Sequence, residues 1–272
     1  MLSFVSTVRA LGMECKQCSQ TRAVLLGEEY RRGVSVKPDT PRARARAAVV
    51  DEIKSAARAQ LAERGAAALS VRHVARELGM SSSGMYRYFA SRDELLTALI
   101  IDAYDALGAA VEQAESAVDR ADLFGRWWAA ARAVRDWARA HPQEYGLVYG
   151  SPVPGYAAPQ DTVVPAARVP LALAGILRDA WAARTGTAPP ATAPAPSGID
   201  LALSTLVEPL IGLPQEVITN GVMAWVELFG FVSFELYGHL MGSVHDGDAF
   251  FRVMCERVAA SIGADAGVGS RH

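Results

Sequence analysis

The sequence predicts an all-α protein. Three observations carry that expectation. Apolar residues recur at steps of three and four from Pro41 almost to the C-terminus. No stretch alternates apolar and polar residues as a half-buried strand does. The periodic stretches are bounded by stop and start signals, such as Gly65 and the group Ser91, Asp93 and Glu94.

Of 272 residues, 51% are apolar and 21% charged, enough for the core of one large domain or two modest ones. That composition excludes a wholly disordered chain. Three cysteines cannot form a disulfide framework, so a reducing compartment, the cytoplasm, is expected. No uninterrupted apolar run reaches the ~18 residues of a membrane span. Arg9 breaks the first apolar stretch, which makes it a poor secretory signal. The net charge of −2 hides an asymmetry. Residues 42–95 hold ten basic and six acidic side chains, 1–41 six and four, and 96–272 eleven and nineteen. A basic first third on an acidic body points to an anionic partner for the first part, or to a merely solvated imbalance.

Taken in order, residues 1–41 show no sustained period and are expected to be a disordered extension. Within them Cys15 and Cys18 lack the two further ligands of a zinc knuckle. From Pro41 the pattern is helical: Val49, Val50, Ile53, Ala56, Ala57, Gln60 and Leu61 keep mostly to one face until Gly65. Ser70 opens a two-turn helix with Val71, Val74, Ala75 and Leu78 on one side. Gly79 follows, and a third short segment carries Met85, Tyr86 and Phe89. Ser91 caps a longer helix that has acids in its first turn. Further helices are expected near 93–117, 121–140, 143–149, 161–185, 200–211, 214–242 and 247–263. The Pro/Ala-rich stretch 187–198 reads as a mobile loop and 266–272 as a disordered tail.

Two short helices joined through a glycine, the second rich in small polar residues, make a helix-turn-helix. Ala75 must be small where the helices cross, and Gly79 must supply the positive φ of the turn. Val74, Leu78, Met85 and Phe89 must bury the pair against the first long helix. The face Ser81–Gly84 is then presented outward, as in a helix that enters the major groove of double-stranded DNA.

The segment 71–96, VRHVARELGMSSSGMYRYFASRDELL, resembles the DNA-binding core of the TetR family of regulators. The resemblance covers roughly 48–107. It runs through Ser70, Val74-Ala75, Leu78 to Ser81, Tyr86, Tyr88-Phe89 and Ser91-Arg92, then Glu94-Leu95. The family usually has Lys where Arg92 stands and often His where Tyr88 stands. Both replacements keep a donor that reaches phosphate. The resemblance implies that Tyr86 donates to a phosphate. The candidate DNA-binding residues are Ser70, Arg72, Ser81, Ser82, Ser83, Gly84, Tyr86, Arg87, Tyr88 and Arg92. Arg87 either touches phosphate or is solvated, and each serine is a cap, a phosphate contact or a base contact. Arg42, Arg44 and Arg46 read equally as an arm along DNA or as a solvated tail.

Two later segments, 141–159 and 224–240, resemble the WHG-type C-terminal domain of TetR regulators. Trp225 and Gly230 fit that pattern, while Phe229 stands at the His position. The expected architecture is a three-helix DNA-binding domain, 42–90, and a larger helical ligand-binding and dimerisation domain, 91–265. The function it implies is ligand-responsive repression on a palindromic operator.

Trp127, Trp128, Tyr149, Trp181, Trp225 and Phe229 are candidate contacts for an apolar or aromatic effector, with plain core packing as the competing reading. The stretch 214–242 carries two apolar stripes, so one side needs its own domain and the other a partner chain. The candidate homodimer face is Val226, Gly230, Phe234, Tyr237 and Met241, joined by Phe251, Met254 and Val258 on the final helix. His239, His245, Asp246 and Asp248 have metal-like composition but not one-face helical spacing, so no metal or other cofactor is expected. No phosphate loop, nucleophile elbow or zinc-peptidase motif occurs, and an enzyme is not expected. A helical small-molecule carrier or enzyme with an incidental helix-turn-helix is the alternative. No membrane partner is expected.

Overall fold

The computed structural model describes residues 40–185, 210 and 212–265. The extension before residue 40, both amino-terminal cysteines, the stretch 187–198, most of the helix expected at 200–211 and the tail 266–272 lie outside the described residues. Among the described residues there are nine α-helices and no strand.

The first is α1, Pro41–Arg64; Thr40 Oγ1 accepts from Ala43 N at 3.1 Å and Pro41 occupies the first turn, where a missing N–H is harmless. A short 3-10 turn, Ala66–Ala68, leads to α2, Val71–Glu77, and α3, Ser82–Met85. The connecting helix α4, Arg92–Ser116, begins with a reciprocal cap. Glu94 N donates to Ser91 Oγ at 3.0 Å, and the Glu94 carboxylate accepts from Ala90 N. Then come α5, Leu123–Ala140, α6, Pro142–Tyr149, α7, Val163–Thr185, α8, Gln215–Leu236, and α9, Gly247–Ile262. The helix expected to reach 242 ends at Leu236, because Gly238 adopts φ 77° and turns the chain.

The chain divides into two compact units, and the division differs from the expected border at 90/91. Among the described residues the first unit holds 40–105 and 141–165, and the second 106–140 and everything from 166 on. The first unit therefore contains α6 and the segment after it, which sequence reading put in the regulatory domain. Apolar contact explains this: Leu147, Val148, Val153 and Tyr156 pack on the cluster built from Ile53, Ala57, Val74, Met85 and Leu99. Polar ties add to it. Arg58 of α1 pairs with Asp102 of α4 at 2.7 Å and with Glu144 of α6 at 2.9 Å, and Lys54 reaches Asp102 at 2.8 Å. Thr97 Oγ1 and Tyr156 Oη lie 2.9 Å apart.

Tyr104, Tyr145 and Tyr149 form an aromatic group in the same unit, the Tyr149 ring centroid lying 5.9 Å from that of Tyr104 and 5.3 Å from that of Tyr145. The Tyr104 hydroxyl donates to Val148 O at 3.3 Å. Burial, then the neighbouring Tyr156, pushes the Tyr104 phenol up to about 12. The folded state thus holds this proton more tightly than the unfolded chain does. The resulting stability is complete below pH 10 and is lost as pH rises through about 12. Thermal melts across that window should show Tyr104→Phe losing about 2–3 kcal/mol less than the wild type. Parallel losses in the two proteins would refute the burial of this phenol.

In the second unit α8 and α9 pack together, and α5 lies against both. Trp127, Val134, Ile176, Ile218, Leu228, Phe251, Cys255 and Val258 are buried there. Three arginines are drawn inside with their partners. Arg126 meets Glu115 at 2.6 Å and Asp179 at 2.8 Å. Arg168 grips Glu112 with two bonds, at 2.9 and 2.6 Å, and passes so close to Gly108 that a Cβ there would stand 2.7 Å from its side chain. Arg135 holds both Glu235 oxygens, reaches Asp248 at 2.7 Å and lies 4.7 Å from the Phe251 ring centroid.

Those partners also account for acids of the metal-like group. Asp248 serves Arg135, and Asp246 caps α9 by accepting from Asp248 N and Ala249 N at 3.0 and 2.9 Å. His239 lies beside the Phe234 ring at 5.2 Å. Glu235, an i, i+4 neighbour of His239 in sequence, takes Arg135 as its ion partner.

Candidate nucleic-acid interface

The α2–α3 pair is organised as its residue types require. Ala75 and Val74 are buried at the crossing, Gly79 takes φ 64°, and Met85 and Phe89 are in the core beneath. Ser70 caps α2, accepting from His73 N at 3.4 Å, and Ser70 N donates to buried Gln60 Oε1 at 3.0 Å. Ser81 caps α3, accepting from Gly84 N at 3.0 Å, and its hydroxyl meets that of Ser83 at 3.2 Å. The helix is one turn long. Beyond it Arg87 N donates to Gly84 O at 3.3 Å and Tyr88 N to Met85 O at 2.9 Å, so the last turn tightens to i+3 bonding.

The candidate residues divide by position. Arg72, Ser81, Ser82, Ser83, Tyr86 and Arg87 are exposed, Tyr86 at 43% despite its aromatic ring. Gly84 is buried, unlike the outward face expected for it, because Ser81 and Arg87 fold over it. Tyr88 is half-buried against the core, and the guanidinium of Arg46 lies 4.9 Å from its ring centroid. Arg46 also donates to Arg87 O at 3.3 Å. Arg42, Arg44 and Arg46 thus stand on the first turns of α1, neither a free arm nor a tail.

Arg92 is put to another use than the expected phosphate contact. Its Nε donates to Leu69 O at 3.1 Å, and one Nη donates to Ala66 O at 3.0 Å. The guanidinium is half-buried and donates to main-chain carbonyls at the start of the 3-10 turn and just after it. Sequence gives no hint of this, because the acceptors lie more than twenty residues away and are main-chain atoms.

Two family models match the chain. Residues 53–99 match the one described as bacterial regulatory proteins, tetR family, and residues 127–258 the one described as tetracyclin repressor-like, C-terminal domain. The HTH-type transcriptional regulators Rv1816 of Mycobacterium tuberculosis (strain ATCC 25618 / H37Rv) and Mb1846 of Mycobacterium bovis are each 40% identical over 205 residues, 71% of this chain and 83% of theirs. The chain belongs to the TetR family of transcriptional regulators. The crystal structure of SCO4313, described as a regulatory protein, is similar with TM-score 0.63 at 32% identity, covering 81% of this chain and all of that one. A protein from Rhodococcus sp. RHA1 shares the fold, with TM-score 0.58 at 22% identity over 77% of this chain and 92% of its own.

In this TetR regulator the candidate effector contacts do not form one group. Trp127 is 1% exposed and donates its indole N–H to Cys255 O at 3.0 Å, which makes it a core residue. Trp128 packs on Phe251 at 5.6 Å. Tyr149 lies in the first unit. Trp225 and Phe229 make an edge-to-face pair 6.0 Å apart, and Trp181 is half-buried on α7.

Of the candidate dimer residues on α8, Val226 and Gly230 are exposed, and Phe234 is 55% exposed. Tyr237 and Met241 are exposed too, but stand past the helix end, in the turn after Leu236. On α9 the assignment shifts by one position. Phe251 and Val258 are each 1% exposed, and Met254 is half-buried. The outward residues are Phe250 and Val253, at 43% and 49%. Adjacent phenylalanines hide this, since either fits a step of three or four and only burial separates them. By length and composition α8 is also apolar enough to cross a membrane, although polar residues interrupt it.

Proposed function

We propose that this TetR regulator is a cytoplasmic repressor that binds a palindromic operator as a homodimer and releases it on taking up an apolar or aromatic small molecule. The observation that carries the reading is the apolar face on α8, the turn after it and α9. Phe234, Tyr237, Met241, Phe250 and Val253 are all exposed in one chain, and a lone soluble chain rarely leaves such a patch in water. A second copy covers it and gives α8 a reason to be apolar on both sides without a membrane. Two copies carry two α3 helices, and these read half-sites one helical turn, about 34–36 Å, apart. Aromatic residues such as Trp225 and Phe229 supply the apolar surface an effector needs. Its leverage is its difference in affinity between the DNA-bound and released conformations.

The test is sedimentation at micromolar concentration combined with selection of bound sites from random duplex DNA. A dimer that enriches a two-fold symmetric site is expected; a monomer, or a site without symmetry, sinks the reading. Tyr86 contributes a phosphate contact through its hydroxyl. Tyr86→Phe should therefore weaken every duplex alike, by about 0.5–1.5 kcal/mol per half-site, with the selected sequence unchanged.

A further inference from the structure

We infer that Arg87 is the side chain that reads the operator, taking a guanine through its O6 and N7 in the major groove, and that Arg46 is the positioning residue that holds it there. The inference rests on the regulator reading above and adds to it one base identity and one brace.

Between residues 81 and 90 the exposed side chains are three serines, Tyr86, Arg87 and Ala90. Ser81 is engaged as the cap of α3 and meets Ser83. A serine hydroxyl both donates and accepts, so it selects no single base. Tyr86 offers one hydroxyl. Arg87 alone carries a planar fork of donors, and guanine alone presents two acceptors side by side in the major groove.

Its placement fits that task. An Nη of Arg87 lies 4.0 Å from where a Cβ on Gly84 would stand, so the guanidinium folds back along α3 over the bare Gly84. Residues three and four apart share a helix face, which puts the fork on the side of Ser83 and Gly84. A one-turn helix with a tightened end is a weak platform on its own. Arg46 supplies the missing support from α1, bonding Arg87 O at 3.3 Å and stacking on Tyr88 at 4.9 Å. Phosphate neutralisation does not need Arg87, because Arg42, Arg44, Arg72 and Arg76 are exposed on α1 and α2.

The experiment is site selection from random duplex DNA with the full chain as wild type, Arg87→Ala, Arg87→Lys and Arg46→Met, with melting curves alongside. The wild type should enrich a guanine at a symmetric pair of positions. Arg87→Ala should lose that preference alone, with affinity for the selected site falling roughly 5- to 150-fold per half-site, and Arg87→Lys should keep part of it. The lysine ammonium also reaches guanine O6 and N7 but without the planar fork, so its preference should be intermediate between wild type and alanine. Arg46→Met should blur the same position at an unchanged melting temperature. If Arg87→Ala weakens all duplexes equally and leaves the consensus intact, Arg87 is a phosphate contact and the assignment is wrong. An unblurred consensus in Arg46→Met removes the brace. A wild type that enriches no sequence overturns the regulator reading itself, a result distinct from either.

Discussion

Val258→Glu is expected to unfold the second unit, whereas Phe250→Glu is expected to leave it folded and split the dimer. Both positions are on α9, eight residues apart, and both replace an apolar group by a carboxylate. Val258 is 1% exposed, at the packing of α9 within its own unit. A carboxylate buried there either stays uncompensated, at about 3–5 kcal/mol, or takes up a proton. That is a large part of the stability of a domain. Phe250 is 43% exposed in the single chain, so its glutamate is solvated in the monomer and desolvated only in the proposed dimer. Melting curves and sedimentation separate the two effects. Val258→Glu should melt early at any concentration. Phe250→Glu should sediment as a folded monomer and bind operator weakly, because each half-site then binds alone. A folded Val258→Glu monomer would return the interface to the buried stripe and undo the one-residue shift.

The second large effect is expected from Arg92→Ala, and it is an effect on stability. The arginine donates to Leu69 O and Ala66 O from a half-buried position. Removing it takes the guanidinium from both carbonyls, although Ala66 O keeps its bond from Leu69 N at 3.3 Å. Bonds from a charged donor contribute about 1.5–3 kcal/mol each in net terms, and here both sit at the entrance to α2. The melting temperature should fall by several degrees. The salt dependence of DNA affinity should stay as in the wild type, because a guanidinium held by carbonyls neutralises no phosphate. A slope reduced by one unit with unchanged stability would restore the phosphate role expected from sequence.

Some of this was legible before any coordinates. The spacing of Val74, Ala75, Leu78 and Gly79 implies two crossed helices and a turn, because a small residue at the crossing and a positive φ are local demands. The cap at Ser91 is legible for the same reason, since its partners lie within four residues. The double stripe of 214–242 shows that the helix is apolar on both sides.

The helices among the described residues, the helix-turn-helix and the apolar faces thus follow from local patterns in the sequence. Which neighbour each face or charge meets depends instead on how the helices pack. Phe250 and Phe251 are alike in sequence and both touch Phe231, and Phe251 is inside because α9 also turns it onto Trp128 and Arg135. The segment 141–165 joins the first unit because Leu147, Val148, Val153 and Tyr156 pack on the cluster around Ile53 and Leu99, and Glu144 adds a tie to Arg58, more than eighty positions earlier. Arg46 and Arg92 look like free cations in the sequence, and they become a brace and a carbonyl clamp through acceptors on distant main chain. Periodicity follows from the geometry of one helix. Pairing across dozens of residues follows from how the helices pack, and no local pattern encodes it.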